Sequence, residues 1–483
     1  MKRIIALCGY LTLTLCASSP ASADAVADAF ARNQEVAKLY QAGDWRGALD
    51  AAKLALSANE VELGSDHLEV ANSLYQLGML YQRRGQYDEA EALHQRALTL
   101  REQQLSADDL AIADSVMALG AMNRNRGWYG EAERFLRRGL EIRTAALGPD
   151  HPKVAHSLGE LARMYRVQDR FLEAEDLEQR AVSILEQTLG PEHPTVAEGL
   201  NELALIFHNQ GQFDTAEPYY IRALEIRKGA LDPKDILIAR SLSNLATLYH
   251  NKGDFARAES YYRQSLQTKR AALGPKHPDV AVTLRNLGLM FKEKGDPAQA
   301  EKYLRDAVAM LEALLGVNAP TVAGTLGSLA ELYIYQERYD EAEILLQRAA
   351  DIWESALDPH HPALARTLSN LSLLYVHQKR FAAAEALQRR STDILERAMG
   401  RDNPDLATAY GNLALILVAQ GEVEEGEEYY RNALDIRERA LGQDHPEVAD
   451  ILEALAALLE KSGRNAEAAT FTARANSIRE NIR

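Results

Sequence analysis

The sequence repeats itself with a period of 42 residues, without insertion or deletion, over most of its 483 residues. The clearest landmark is a Leu-Gly-x-x-His-Pro linker, which occurs in full at four places, while six weaker copies keep the same spacing. These ten linkers begin at Leu63, Leu105, Leu147, Leu189, Leu231, Leu273, Leu315, Leu357, Met399 and Leu441. A fixed period of this length is typical of a solenoid, in which each unit packs on the next. Such a chain is expected to be a binding surface and not a catalyst.

Each unit has the apolar periodicity of two amphipathic helices separated by a short turn. In the unit 148–189, Pro152 marks the start of the first helix, because proline fits the first turn of a helix. Asp169 stands in the turn, where most other units have glycine, and Gly190 is expected to end the second helix in the left-handed conformation. His151 or its neighbour Asp150, and their equivalents in other units, are expected to close the start of the next first helix. The pattern predicts an all-α fold of about eleven helix pairs.

Small residues recur at two fixed positions of the unit, and aromatic residues recur at a third. The first position is Gly78, Gly120, Ala162 and its equivalents, and the second is alanine in ten of eleven units, for example Ala174 and Ala216. Small residues at constant positions are needed where helices cross closely. We interpret these positions, and the aromatic position that includes Tyr165, as core. Acidic residues that recur on the second helix, such as Glu89 and Glu91, are interpreted as solvated.

The N-terminus has the pattern of a secretory signal peptide. Two basic residues, Lys2 and Arg3, precede an apolar run over residues 4–15 and a small-residue segment that ends in Ala23. This pattern predicts cleavage before Asp24 and export to a periplasm or the outside of the cell, with the solenoid occupying residues 24–483. A lipid anchor at Cys16 is disfavoured, because Leu15 stands where a small residue is expected.

The net charge and the positions of the cysteines limit the kinds of partner and of metal site that the chain can have. The formal net charge is −16, and both cysteines, Cys8 and Cys16, lie in the predicted signal segment. An acidic surface disfavours nucleic acid as a partner. No later segment approaches the ~18 uninterrupted apolar residues of a membrane span, so membrane insertion is not expected. The exported chain would have no disulfide and no thiolate metal site.

The residues of one unit resemble the tetratricopeptide repeat. The segments 87–91 (Tyr-Asp-Glu-Ala-Glu) and 96–98 (Arg-Ala-Leu) are good copies of its second helix. The 42-residue length and the Leu-Gly-x-x-His-Pro linker are similar to the kinesin-light-chain subclass of that repeat. The resemblance implies a right-handed α-solenoid superhelix of antiparallel helix pairs. It also implies that the first helices line a concave groove and that extended peptides or helices are the typical ligands.

Motifs for catalysis, cofactors or metals are not found. The linker histidines occur once per unit, and helix layers lie about 8–10 Å apart, whereas zinc needs nitrogen ligands at about 2.0–2.1 Å. The glycines follow the repeat and do not form a phosphate-binding loop, and neither a nucleophile elbow nor a His-Glu-x-x-His motif occurs. We therefore expect no enzyme activity, no cofactor and no metal.

One position near the end of the first helix is basic in five consecutive units and apolar in the next three. Its members are Arg124, Arg166, His208, His250, Lys292, Ile334, Val376 and Val418. The resemblance places this position in the groove, where the basic members would bind an extended, partly acidic segment. The alternative is that cations are favoured in the last turn of a helix by the helix dipole. Both interpretations remain open at this stage.

Asparagines follow two positions beside the basic one. They are Asn125, Asn209 and Asn251 at the first position, and Asn244, Asn286, Asn370 and Asn412 at the second. An amide can donate and accept, so it can pair with the backbone of an extended peptide. The alternative is that exposed helix positions are simply polar. Glutamates such as Glu160 and Glu202 share these positions, so the groove has mixed charge, and the carboxylate clamp of chaperone-binding relatives is not matched as a set.

The sequence thus predicts an exported, non-enzymatic scaffold that binds a protein or peptide partner in its concave groove. One alternative is a structural module that assembles with itself in a periplasmic complex. Another is a regulatory subunit of an exported enzyme. The oligomeric state does not follow from the sequence.

Overall fold

A computed structural model of the chain describes residues 22–41, 44–83, 86–126, 128–356, 361–401, 403–443 and 445–481. Within these residues there are 22 α-helices and no strand, which confirms the predicted all-α fold. The predicted signal segment lies outside the described residues apart from residues 22 and 23. The helices are α1 (Ala23–Gln41), α2 (Trp45–Leu63), α3 (Leu68–Arg83), α4 (Tyr87–Gln104), α5 (Leu110–Arg126), α6 (Tyr129–Leu147), α7 (Pro152–Val167), α8 (Phe171–Leu189), α9 (Pro194–Asn209), α10 (Phe213–Ala230), α11 (Ile236–Asn251), α12 (Phe255–Leu273), α13 (Pro278–Glu293), α14 (Pro297–Leu315), α15 (Pro320–Tyr335), α16 (Tyr339–Ala356), α17 (Pro362–His377), α18 (Phe381–Met399), α19 (Pro404–Gln420), α20 (Val423–Leu441), α21 (Pro446–Lys461) and α22 (Asn465–Asn481).

Consecutive helices pack in pairs from α1 to α4 and from α7 to α22, and within each of these two series every pair packs on the next one along the chain. The described part of the chain is therefore an α-solenoid of helix-pair repeats, as the period predicts. The described residues up to Met122 form one compact unit, and those from Asn123 onward form a second. The boundary falls inside α5, in the repeat 106–147, whose motif is the most degraded of the series.

In the second unit, the first helices of successive repeats contact each other directly. Such contacts join α7 to α9, α11 to α13, α13 to α15, α15 to α17 and α17 to α19. Successive second helices have no comparable contact within the described residues. The first helices are therefore the more closely spaced layer, which is the inner side of a curved stack. We call this layer the first-helix layer.

The linker histidines act as helix caps, as predicted. In each of six linkers, Nδ1 of the histidine accepts a hydrogen bond from the backbone N–H two residues later, at 3.1 to 3.3 Å. The six are His67, His151, His193, His277, His361 and His445. Asp235 and Asn403 do the same in repeats that lack the histidine. A side-chain acceptor at this position satisfies one of the free N–H groups at the start of a helix.

The glycine that follows α8 differs in conformation from the prediction. Gly190 has φ 90° and ψ 152°, outside the left-handed helical region, in a region that is open almost only to glycine. The left-handed conformation occurs instead in the turn between the two helices of a repeat. There, Asp169 has φ 59° in place of the glycine found in other repeats.

Glu91 belongs to an acidic position on the second helix that the sequence predicted to be solvated. In several repeats the glutamate at this position instead contacts the next repeat. Glu301 of α14 accepts a hydrogen bond from the hydroxyl of Tyr333 in α15 at 3.0 Å and one from Arg338 at 2.9 Å. The guanidinium of Arg338 also stacks on the Tyr333 ring, 3.9 Å from its centre. Although burial acts to raise the pKa of Glu301, the hydrogen bonds from Arg338, Arg305 and Tyr333 lower it overall. Equivalent contacts occur at Glu133, Glu217 and Glu343.

None of the helices in the described part of the chain combines the length and the apolar character needed to cross a bilayer.

Candidate functional site

The five basic residues of the predicted groove position lie near the C-terminal ends of α5, α7, α9, α11 and α13, and each contacts the following repeat. The contacts join Arg124 Nη1 to Glu160 Oε2 at 2.6 Å, Arg166 Nη2 to Glu202 Oε2 at 3.7 Å, His208 Nε2 to Asn251 Nδ2 at 2.8 Å, His250 Nε2 to Glu293 Oε2 at 2.8 Å and Lys292 Nζ to Glu331 Oε2 at 3.3 Å. We call this series the cross-repeat ladder.

The cross-repeat ladder largely neutralises the charge of the predicted basic position. Burial acts to raise the pKa of Glu160, but the charges of Arg124 and Arg163 lower it overall, so this carboxylate is ionised and paired. Burial lowers the pKa of His208, and the hydrogen bond from Asn251 makes its Nε2 an acceptor. The ladder therefore fastens repeats together and offers little free positive charge. A binding role for these five residues stays a prediction.

The predicted asparagines fall into two groups. Asn251 donates to His208, and Asn244 Nδ2 donates to Asn201 Oδ1 at 2.6 Å, so these two join adjacent repeats. Asn125, Asn209 and Asn286 have no hydrogen-bond partner among the described residues. Asn125 and Asn209 are exposed, and Asn286 is half-buried, so their amides are available to a ligand.

A second set of basic residues, which the sequence analysis missed, is buried between repeats. Each lies on a second helix and donates to a serine or threonine 14 residues later, at the start of the next first helix. The pairs are Arg101 with Ser115, Arg143 with Ser157, Arg227 with Ser241 and Lys269 with Thr283. This fixed 14-residue offset between a basic residue and a hydroxyl is the sequence signal that could have revealed them.

Five cations in the middle of the second unit have no carboxylate within ion-pair distance among the described residues. They are Arg227 of α10, Arg240 of α11, Lys269 of α12, Arg285 of α13 and Arg366 of α17, and we call them the cationic cluster.

The cationic cluster consists of two groups: Arg240 lies within electrostatic range of Arg227 and Lys269, and Arg366 lies within electrostatic range of Arg285. Arg227 is 2% exposed, and burial lowers its pKa, with the charge of Arg240 lowering it further. Burial also lowers the pKa of Lys269; Asp279 opposes this effect and Arg240 adds to it. Cations that remain unpaired in a chain of net charge −16 mark a place where an external anion would gain most.

The carboxyl group of Glu178 lies beneath the first-helix layer, next to the charged part of the groove. The side chain is 3% exposed, and its Oε2 has no hydrogen-bond partner. It fills the space left by two glycines, since a Cβ on Gly159 would lie 3.4 Å from Oε2 and one on Gly199 would lie 3.3 Å from Oε1. Burial raises the pKa of Glu178 to about 8, and the charge of Glu202 acts in the same direction. This carboxyl group is therefore protonated near neutral pH.

Beyond α13, the repeat position that is basic in the five preceding repeats becomes apolar. Ile334, Val376 and Val418, which continue the basic position, are half-buried, and two neighbours on the same layer are more exposed, Tyr335 at 66% and Leu415 at 44%. The layer thus combines a charged part with an apolar part, an arrangement that suits a polypeptide with both kinds of side chain.

Among the described residues, no group of three or more histidine, cysteine, aspartate or glutamate side chains is arranged to hold a metal ion.

A family model of the tetratricopeptide repeat matches the chain over residues 32–103, 109–187, 160–229, 195–271, 237–313, 321–397 and 405–481. No curated protein matches the chain.

Among solved structures, the chain is similar to BtubC (BKLC) from P. vanneervenii, at 24% identity and a TM-score of 0.38, over 51% of this chain and 92% of that one. It is also similar to a kinesin-light-chain protein with nearly identical TPR-like repeats from Podosopora anserina, at 25% identity and a TM-score of 0.37, over 42% of this chain and 97% of that one. A third is a Rap protein in complex with Competence and Sporulation Factor, at 17% identity and a TM-score of 0.49, over 77% of this chain and 99% of that one.

The family model covers far more than half of the sequence, and its matches coincide with the helix pairs described above. Proteins built on this repeat are typically scaffolds for protein–protein interaction. The chain belongs to the tetratricopeptide repeat family.

Proposed function

We propose that this protein is an exported, non-catalytic adaptor that binds an extended, partly acidic segment of a partner protein along its first-helix layer. The observation that carries the proposal is the cationic cluster, whose members Arg240, Arg285 and Arg366 lie on first helices, are exposed or half-buried and have no carboxylate partner among the described residues, in a chain of 54 basic and 70 acidic residues. Elsewhere on the layer, the cations of the cross-repeat ladder contact acidic or polar side chains of the next repeat.

The geometry of the layer suits an extended ligand. Stacked helices lie about 8–10 Å apart, which corresponds to roughly three residues of extended chain at about 3.3 Å each. Asn125, Asn209 and Asn286 could pair with the ligand backbone, because their amides have no partner among the described residues. The apolar part near Ile334 and Val376 would receive apolar side chains of the same segment.

The test uses three fluorescein-labelled peptides of equal length, one rich in Asp and Glu, one neutral and one rich in Lys. Fluorescence anisotropy should show that the acidic peptide binds more tightly than the other two and that added NaCl weakens its binding, since salt screens exposed charges. The variant Arg240→Glu should weaken the binding of the acidic peptide by about tenfold or more.

The matched control is Arg180→Glu. Arg180 is exposed on α8 and has no partner among the described residues, so its reversal changes the net charge equally without touching the cationic cluster. Equal binding of all three peptides, or an equal loss in both variants, would reject the proposal. A stable homo-oligomer in light scattering that binds none of the peptides would favour the self-assembly alternative.

Export is the second part of the proposal, and the N-terminal signal pattern supports it. When the full-length gene is expressed in a bacterium, the protein should appear in the periplasmic or exported fraction, and its intact mass should correspond to a chain that begins at Asp24. A protein that retains Met1 and stays in the cytoplasm would contradict this part and leave the peptide-binding part intact.

A further inference from the structure

The helix α15 presents two glycines at positions where neighbouring first helices carry larger side chains. Gly324 is equivalent to Arg240 and Arg366, and Gly327 is equivalent to Arg285 and Ser369, at the 42-residue spacing. A Cβ on Gly327 would meet nothing within 4 Å, and one on Gly324 would meet only Arg285 Nη1 at 3.8 Å and Trp353 Cζ2 at 3.9 Å. Neither glycine has a positive φ. Internal packing and backbone conformation therefore do not require glycine, which is unfavourable inside a helix.

Two arginines flank this bare face of α15. Arg285, from the preceding repeat, places Nη1 next to Gly324. Arg366 comes from the following repeat, and its charge adds to burial in lowering the pKa of Arg285. The guanidinium of Arg285 has no hydrogen-bond partner among the described residues, and its Nε is buried. A half-buried guanidinium with unpaired donors is costly unless a ligand satisfies them.

The carboxylate whose charge acts on Arg285 is not paired with either arginine. Glu331 raises the pKa of Arg285 through its charge, but its carboxylate oxygens lie 3.3 Å from Lys292 Nζ and 3.5 Å from Asn370 Nδ2. Its negative charge also matters for the ligand, because it repels a doubly charged phosphate more than a singly charged carboxylate.

We propose that Arg285, Arg366, Gly324 and Gly327 form an arginine notch that takes one Asp or Glu side chain of the bound partner segment. The two guanidinium groups supply paired N–H donors that match a carboxylate. The glycines let the main chain of the segment approach α15 more closely than a side chain would allow. This inference rests on the proposed function and specifies which part of the groove reads the acidic residue.

The test compares a peptide that has a single central Glu among Gly, Ser and Asn with its Gln counterpart, in wild type and in the Arg285→Gln/Arg366→Gln variant. In wild type, the Glu peptide should bind about tenfold or more tightly than the Gln peptide, because a hydrogen-bonded charge is lost with Gln. In the double variant this preference should fall to about twofold or less. An undiminished preference for Glu in the double variant would overturn the notch.

A steric variant tests the glycine floor without a change of charge. Gly327→Leu should keep or raise the melting temperature, because leucine is the better helix former. It should weaken the binding of the Glu peptide by about tenfold. Gly229→Leu is the control, since Gly229 is exposed near the end of α10 and a Cβ there also meets nothing within 4 Å. Binding by Gly327→Leu equal to that of wild type would overturn the inference.

The failures of the two proposals are distinguishable. If no acidic peptide binds to wild type, the proposed function fails and the notch fails with it. If acidic peptides bind and depend on Arg240 but not on Gly327, Arg285 or Arg366, the proposed function stands and the notch is wrong. A phosphoserine peptide that binds more tightly than the Glu peptide through the same residues would overturn the assignment to a carboxylate.

Discussion

Replacing Glu178 with glutamine is expected to stabilise the protein at alkaline pH by several kcal/mol and to have a much smaller effect at acidic pH. The reason is that this buried carboxyl group has its pKa raised from 4.5 to about 8 by burial. Between these two pKa values, the folded state binds one more proton than the unfolded state, so the free energy of unfolding changes by about 1.4 kcal/mol per pH unit. The glutamine amide is neutral at every pH, so it avoids this cost.

The sign of the pH dependence follows from the two pKa values. Between pH 4.5 and about 8, Glu178 is protonated in the folded chain and ionised in the unfolded one. The folded state therefore holds one more proton, and stability falls as the pH rises through this window. Above it, both states are ionised and the penalty is constant. Below it, both are protonated and the penalty disappears.

Glutamine is a suitable replacement because the chain already uses it at the equivalent position. Gln388, five periods later, is fully buried; it accepts a hydrogen bond from Ser369 at 2.9 Å and donates one to the carbonyl oxygen of Ala409 at 3.0 Å. The position of Ala409 corresponds to Gly199, and that of Ser369 corresponds to Gly159. The variant Glu178→Gln/Gly159→Ser should therefore be more stable than Glu178→Gln alone.

The measurement is hydrogen exchange in α7 to α9 for variant and wild type, at about pH 5 and about pH 8.5. Local exchange is preferred because a repeat protein does not unfold in a single step. Asp176→Asn is the control, since Asp176 is exposed on the same helix. A difference between Glu178→Gln and wild type that is equal at both pH values would contradict the raised pKa.

Replacing Arg227 with alanine is expected to destabilise the protein by about 2–4 kcal/mol, whereas leucine should change stability by less than about 1.5 kcal/mol. Arg227 is 2% exposed, so alanine leaves a cavity. Leucine fills most of it and removes a buried cation that has no carboxylate partner. The chain itself contains this solution, because Leu311 occupies the equivalent position and is fully buried.

The hydroxyl group of Ser241, which contacts Arg227, can still form a hydrogen bond in the leucine variant. Ser241 accepts from Arg227 at 2.7 Å. Opposite Leu311, the hydroxyl of Thr325 donates instead to the backbone carbonyl of Thr321 at 3.0 Å. Ser241 can make the same bond four residues back along its own helix.

Thermal unfolding and hydrogen exchange in α10 and α11 will measure both effects. Arg180→Ala and Arg180→Leu serve as controls on an exposed arginine, and both should be close to wild type. If Arg227→Leu is as destabilising as Arg227→Ala, the hydrogen bonds of the guanidinium outweigh its desolvation. If Arg227→Leu is stable but binds acidic peptides weakly, the buried cation is retained for binding at a cost in stability.

Features that repeat in phase could be predicted from the sequence. The helix pairs, the core positions and the histidine caps of His151 and its equivalents follow from the spacing of residues within one period, and the structure confirms them. The conformation of Gly190 was predicted wrongly, because a glycine after a helix is compatible with more than one region of positive φ.

The candidate site was harder to predict, because its contacts join residues in different units. Arg124 and Glu160 are 36 residues apart, and His250 and Glu293 are 43 residues apart. Neither separation equals the 42-residue period, so the two members of each pair occupy different positions of the repeat. The acidic partners were visible as mixed charge, but their pairing was not. Arg285 and Arg366 occupy different positions of the repeat, so the recurrence of basic residues at a single position does not predict that the two lie together.

The cross-repeat contacts have an evolutionary consequence. Glu301 accepts hydrogen bonds from Tyr333 and Arg338 of the next repeat. In the same way, Glu217 accepts hydrogen bonds from Tyr249 and Lys252 of the repeat that follows it. Each repeat therefore offers its successor a similar set of partners, so recombination that adds or removes whole 42-residue units leaves matching surfaces at the new junction. A gain or loss of a few residues would instead put every partner out of register. The length of such a chain can change in whole units, while under the proposed function ligand preference would change by substitution at groove positions such as Gly327.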